Sequence, residues 1–232
     1  LDAAGNGVFM LAEAEGNELY DAFEATYGWE FHHIMNDIAK GKKDAAAVHD
    51  FFARLKPGMY GFHMNFTSNH DENSWNGTEM ERMGDARFAM AVMAATIEGM
   101  PLVYNGQETS LDRRLAFFEK DEIDWTKMDL VGFYDKLLHL HQSNPALFAG
   151  VGQQVPRFIS KASDKNKLVY VRERDGHQVL VVLNLSAAPQ QIKFTDAATA
   201  GEFQNLFDGK KLSLKSDKTF DVPAWGYKVL FR

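Results

Sequence analysis

The apolar pattern of the chain changes character at Asn144-Pro145, and no single regular architecture accommodates both sides of that change. Upstream, short apolar runs alternate with longer amphipathic stretches, the arrangement of βα units on a parallel sheet. Val8–Ala12 is continuously apolar, as a strand covered on both faces would be, and it ends at Glu13. Tyr60–Phe66 follows a helical pattern running from about Asp44 to Leu55 and ends in Thr67-Ser68-Asn69-His70-Asp71. Pro101–Tyr104 follows a Met- and Ala-rich helical pattern from about Asp85 to Ile97, with Gly99 where a helix C-cap would need it, and ends in Asn105-Gly106-Gln107-Glu108. Ala25–Trp29 is a weaker strand candidate ahead of the helix that carries Ile34 and Ile38. The pattern predicts about four βα units.

Downstream, short alternating segments separated by turn residues replace the helical periods, which predicts a boundary near residue 150: an α/β part over 1–150 and an all-β part over 151–232. Asp175-Gly176, between Lys167–Arg172 and His177–Asn184, suits the positive φ angles of a tight hairpin. Asp208-Gly209 suggests a second turn, and Phe220–Phe231, interrupted by Pro223 and Gly226, reads as the closing strand of a small antiparallel β-sandwich of roughly 80 residues.

Composition narrows the partners. A net charge of −7 with no basic run argues against nucleic acid. No apolar stretch approaches the roughly 20 residues of a membrane span. The absence of cysteine removes disulfides and thiol chemistry but leaves exported and cytoplasmic locations equally compatible. A start at Leu1-Asp2-Ala3-Ala4, without an initiator Met, is expected of a piece of a longer chain.

Ligands of parallel sheets bind at the carboxyl ends of the strands, which groups Glu13, Asp71 and Glu108 as candidates. Taken singly, each carboxylate is more often a loop cap or surface ion pair. Two converging on one pocket can divide acid and base roles between them. His32, His33, His63, His139 and His141 lack metal-ligand spacing and read as packing or helix-face residues. Trp75 and Tyr104 neighbour the candidate site and offer flat faces to a ligand. Tyr27 and Trp29 are weaker candidates of the same kind, while Trp125 and Trp225 read as packing. Arg82, Arg87, Arg113 and Arg114 are all placed to pair with carboxylates, and the sequence does not choose among them.

Three ordered segments resemble the α-amylase family of glycoside hydrolases. Phe66-Thr67-Ser68-Asn69-His70-Asp71 resembles the family segment ending in Asn-His-Asp, and Val8–Ala14 resembles its acid/base strand. Gly99–Glu108 is similar to its eighth-strand segment, and Phe117–Lys120, Ile123–Trp125 and Asn144–Leu147 to the passage into its C-terminal β-domain. The resemblance implies the C-terminal half of a (β/α)8 barrel of the TIM type, strands five to eight, followed by the β-sandwich. It implies Glu13 as general acid/base, with Glu15 its local rival, and a raised Glu13 pKa drawn from the apolar strand. Asp71 would stabilise the transition state with His70 hydrogen-bonded beside it, and Asn69, His70, Trp75 and Tyr104 would bind substrate.

The family's nucleophile segment, approximately Gly-Phe-Arg-x-Asp, is absent from the sequence, and Leu1–Gly7 would be the tail that follows it. The resemblance therefore implies a retaining enzyme on α-glucans whose isolated C-terminal part is inactive. No metal or other cofactor is expected in this chain; calcium, where the family holds it, lies in the missing N-terminal half. A half-barrel leaves strand edges open, which calls for pairing with that missing half or with a second copy. Two other classes compete: a non-catalytic carbohydrate-binding or assembly relative, and a carbohydrate-binding module in the β-domain, which needs an exposed aromatic platform there. Hydrolysis is not separable from transglycosylation, nor α-1,4 from α-1,6 preference.

Overall fold

The computed structural model of the protein describes residues 7–55, 61–150 and 152–232. The expected tail Leu1–Gly7 (apart from Gly7), Tyr60 at the head of an expected strand, and Val151 lie outside the described residues.

Four strands, β1 (Leu11–Ala12), β2 (Ala25–Tyr27), β3 (Phe62–Phe66) and β4 (Met100–Leu102), form an all-parallel sheet in sequential order. The sheet is open. Helices α1 (Trp29–Ala39) and α2 (Ala45–Arg54) connect β2 to β3, and α3 (Glu79–Met83) and α4 (Arg87–Thr96) connect β3 to β4. Helix α5 (Val131–Ser143) follows β4. Asp44 caps α2 through a bond to the Ala46 amide, and Thr78 with Glu81 makes a capping box on α3, so both helices begin where the sequence supplies acceptors for free amides.

Two expectations about this part fail for physical reasons. The run Val8–Ala12 is not a strand buried on both faces: only Leu11–Ala12 pairs, and Val8 and Phe9 are half exposed because, among the described residues, β1 is an edge with no neighbour on its far side. Gly99 is not the C-cap of α4, which ends at Thr96 with Ile97 as its cap. Gly99 instead takes φ +71, and a Cβ there would meet the backbone carbonyl of His63 on β3, so glycine is required by close approach and by the turn into β4.

The antiparallel part contains β5 (Arg157–Phe158), β6 (Lys167–Arg174), β7 (His177–Asn184), β8 (Gln190–Thr195), β9 (Gly201–Asn205), β10 (Lys211–Leu214), β11 (Asp217–Val222) and β12 (Tyr227–Phe231). Six form one sheet in the order β10-β9-β12-β7-β6-β5, and β8 pairs with β11 across it. The stretch Phe220–Phe231 is thus two strands in different sheets, not one: Pro223 cannot extend the β-ladder, and the corner through Trp225 at φ +50 moves the chain across. Asp175 and Gly176 take φ +52 and +84, as the hairpin signal predicts.

Side-chain alternation explains how the large sheet sits. Leu168, Tyr170, Val179, Val181 and Leu183 join the core that contains α1, α2, α4 and α5, whereas Val169, Leu180 and Val182 face Ile192 of β8 and Val222 of β11. Strand β7 is buried on both faces, hence its continuous apolar run. On the helix side the buried Arg172 donates to the Ile97 carbonyl at 2.6 Å, and the Tyr170 and Thr96 hydroxyls meet at 2.7 Å, both at the end of α4.

Gly99→Ala is expected to lower unfolding stability by about 2 kcal/mol or more, through the left-handed backbone and the clash with β3. Gly132→Ala, in α5 with open space around it, is expected to be neutral or stabilising by about 0.5–1 kcal/mol. Urea midpoints compare the two; equal effects would contradict this account of Gly99.

Candidate active site

Strand β3 delivers Phe66 to the carboxyl edge of the sheet, and the chain then turns through Thr67–Asp71 into a π-helical turn, Glu72–Asn76. Two buried polar clusters fix this turn. In the first, Arg82 of α3 donates to the carbonyls of Thr67 (2.8 Å) and Gly77 (2.9 Å) and to the Asn36 side chain (3.1 Å), and lies 3.6 Å from the Glu72 carboxylate. His32 of α1 donates through Nδ1 to the Phe66 carbonyl at 2.9 Å, with Nε2 3.0 Å from Glu72. Burial alone would raise the Glu72 pKa, but the His32 and Asn76 bonds and the Arg82 charge hold it at about 2. In the second cluster Gln107 donates to Thr67 Oγ1 (2.9 Å), to the buried Glu79 (2.9 Å) and to the Tyr134 hydroxyl (3.2 Å), joining β3 to the turn after β4 and to α5.

On this base the ends of β1 and β3 converge. Glu13 Oε1 lies 2.9 Å from His70 Nε2, His70 Nε2 lies 3.8 Å from Asp71 Oδ2, and one ligand atom from each of the three lies within 4.8 Å of the others. Tyr27, at the end of the intervening strand β2, senses both carboxylates: burial first, then the charges of Glu13 and Asp71, push its phenol above its usual pKa. Tyr27 was only a weak sequence candidate, and its place between the two carboxylates follows from the strand order.

Other placements differ from expectation. His70 sits closer to Glu13 than to Asp71, so it bridges the two carboxylates rather than serving Asp71 alone. The Glu13 side chain is 55% exposed, because the apolar run that was to desolvate it lies on the open edge. Glu15 accepts from the Glu30 amide at 2.8 Å and anchors the start of α1; β1 ends at Ala12, so strand alternation does not carry Glu15 to the side of Glu13. Asn69 is fully buried, and its Oδ1 accepts from the Glu72 amide at 2.8 Å and so shapes the turn. Glu108 caps its own loop through the Gly106 amide and stands outside the cluster. Tyr104 lines a separate cavity of about 70 Å3 with Ser68, Asn73 and Gln107, whose wall includes none of Glu13, His70 and Asp71. Trp75 is 57% exposed on the π-helical turn, and Trp125, expected to pack, is 47% exposed.

The spacing of Glu13, His70 and Asp71 would admit a cation. Three donors, one of them already engaged between the others, fall short of the closed ligand set of a structural metal. What the cluster offers is a carboxylate and an imidazole in hydrogen-bond contact beside a second carboxylate, all reachable from solvent.

Known proteins resemble the chain in both of its parts. A profile of the maltogenic amylase C-terminal domain matches residues 157–229. Alpha-amylase 2 of Dictyoglomus thermophilum is 24% identical over 221 residues, 88% of this chain and 36% of that protein. The chain is thus similar to α-amylase-family proteins over most of its length. A cyclomaltodextrinase from a Bacillus species is 29% identical over 111 residues, covering 46% of this chain and 19% of that one. Among solved structures, a maltogenic α-amylase from Thermotoga neapolitana superposes with a TM-score of 0.79 at 20% identity, covering 99% of this chain and 55% of that chain. AmyP, solved with maltose, gives 0.73 at 14% identity, covering 96% and 55%. The chain therefore spans 36% and 19% of the two sequence relatives and 55% of each of these solved chains.

Arg82→Met leaves Glu72 buried without its cation and is expected to cost about 3–5 kcal/mol of stability. Because the folded Glu72 pKa of about 2 lies below its usual 4.5, its contribution is present above pH 4.5 and is lost as pH falls toward 2. Urea midpoints should fall less steeply over that window in Glu72→Gln than in the parent; identical slopes would contradict the assignment.

Proposed function

We propose that the chain is the C-terminal part of a retaining α-glucan hydrolase, with the four parallel strands completing an eight-stranded barrel and the sandwich beginning near residue 150. The observation that carries this reading is the convergence of Glu13, His70 and Asp71 from two non-adjacent strands. Inward-facing ends of alternate strands meet in this way when a parallel sheet curls toward closure. The exposed flank of β1 supports a further strand on that side, supplied by the rest of the protein or by a second copy.

In this reading a carboxylate from outside these residues attacks the anomeric carbon, and protonated Glu13 gives its proton to the departing glycosidic oxygen. Glu13 then takes a proton from the water that releases the sugar from the enzyme. His70 holds the Glu13 carboxyl through their 2.9 Å contact, and Asp71 binds sugar hydroxyls as the ring flattens. Bound glucan would cover the half-exposed Glu13 and supply the desolvation that the edge strand does not. The maltose held by the related AmyP supports an α-glucan as substrate. The β-domain reads as structural: beyond residue 151 the described residues expose no large aromatic, and Trp225 packs on the main core.

Reducing-sugar release from amylose and maltooligosaccharides tests this. The 232-residue chain is expected to be silent and the full-length polypeptide active, with Glu13→Gln lowering kcat by about 10²–10⁴-fold. Activity of the short chain that vanishes in Glu13→Gln would instead make Asp71 the second carboxylate of the reaction. Full activity of Glu13→Gln would overturn the reading.

A further inference from the structure

Strand β3 turns Met64 and Phe66 toward Tyr27 on one face of the sheet, and alternation sends His63 and Asn65 to the opposite face. There His63 Nδ1 donates to Glu98 Oε2 at 3.1 Å, and Asn65 donates to the Glu98 carbonyl at 2.5 Å. Gln153 donates to Glu98 Oε1 at 3.0 Å and to the Gly61 carbonyl at 3.3 Å. Glu98 stands between α4 and β4, so its one carboxylate ties β3 to the stretch that leads into β5 and the β-domain. Arg172 of β6 holds the neighbouring Ile97 carbonyl at 2.6 Å. Residues of this chain alone seal the cluster: His63, Glu98 and Arg172 are 7%, 4% and 1% exposed, and any further chain can only bury them more.

The network is thinly satisfied. Arg172 Nε and Nη2 and Gln153 Oε1 are buried without a protein partner among the described residues, so little is left to absorb the loss of a charge. Burial holds the Arg172 guanidinium down to about 10, with the Glu98 charge offsetting part of that. Burial alone would also lower the His63 pKa, but the bond to Glu98 and its charge, then the charges of Glu15 and Glu30, raise it above the usual 6.5. Glu30 is itself paired with Arg54 of α2, and α2 otherwise presents the uncharged Phe51 ring to His63. The Tyr20 phenol, packed on Gly61, is pushed up by burial and then by the charges of Glu98 and Glu15.

We infer that His63 and Glu98 form a pH-sensitive lock between the parallel sheet and the β-domain, closed while His63 carries its proton and loosened when it gives that proton up. Loss of the proton leaves a buried carboxylate without its directly bonded cation, which a low-dielectric interior tolerates poorly. Water reaches Glu98 most readily by parting Gln153 from Glu98 and Gly61, because Gln153 sits on a loop whereas β3 and β4 are held by their ladder. A group whose pKa rises on folding lends its stability below its unfolded value, here about 6.5, and that stability is lost as pH climbs through the folded value. The lock therefore opens on the alkaline side. His49, against Ser160, and His141, against the Ala95 carbonyl, flank the junction, but burial pushes both down, so they titrate on the acid side of that window. None of Glu13, His70 and Asp71 takes part, so the lock stands or falls apart from the α-glucan reading.

Hydrogen exchange in the full-length protein, followed by mass spectrometry over residues 152–158, tests this. His63→Gln keeps a donor but cannot carry a charge, and so imitates the unlocked state at every pH. At about pH 6 its 152–158 segment is expected to exchange about tenfold faster than the parent's, and at about pH 9 the two are expected to agree. The β6–β7 hairpin is expected to exchange alike in both proteins. A proton NMR titration of the parent, which needs no variant to fold, is expected to place the His63 imidazole above 6.5. Equal exchange at pH 6, a difference that persists at pH 9, or a His63 imidazole titrating at or below 6.5 would overturn the lock. So would faster exchange spread evenly over the segment and the hairpin, which would assign the pair to the stability of the whole fold.

Discussion

The buried guanidinium of Arg82 is the interaction on which the site's geometry depends. It satisfies the carbonyls of Thr67 and Gly77 and the Asn36 side chain, and it neutralises Glu72, so one side chain links the end of β3, α1, α3 and the π-helical turn. Neither carbonyl has a regular partner where the chain leaves β3 and where it leaves the turn, and an unsatisfied buried carbonyl is costly. A charge is tolerated there because four acceptors surround it and a carboxylate balances it. Gln107 repeats the device on the other side of Thr67, binding Glu79 and Tyr134.

The consequence is an unequal pair of carboxylates. Asp71 and His70 stand on a turn held from three directions, whereas Glu13 follows a two-residue edge strand flanked by exposed Val8 and Phe9. His70 compensates by reaching across β2 to hold Glu13 at 2.9 Å. The β-domain contributes at a distance: Arg172 and Tyr170 clasp the end of α4, which leads through Gly99 into β4. The same turn that positions Asp71 also holds Trp75 and the Phe117–Phe118 segment.

The sequence made the parallel strands, the β6–β7 hairpin and the grouping of Glu13 with Asp71 legible, because apolar runs, a turn dipeptide and strand-end carboxylates carry their meaning locally. It concealed what depends on long-range pairing. Arg82, Glu72 and Glu79 look like the solvated face of short helices, and only the fold brings Arg82 to the Thr67 carbonyl, 15 residues away. Nothing in the chain marks that the Asn69 side-chain oxygen accepts from the Glu72 amide. Val8–Ala12 looks like a central strand because periodicity reports apolar content and not whether a neighbour exists. Phe220–Phe231 hides a change of sheet at Pro223, and the Trp75 and Phe117 rings meet from some 40 positions apart.

The most direct test of a single site built from Glu13, His70 and Asp71 is a crystal structure of the full-length Glu13→Gln protein with maltoheptaose bound. The account predicts a glycosidic oxygen within hydrogen-bond distance of the residue 13 amide and sugar hydroxyls on Asp71. A glucan bound elsewhere, with residue 13 and Asp71 both free of sugar, would contradict it.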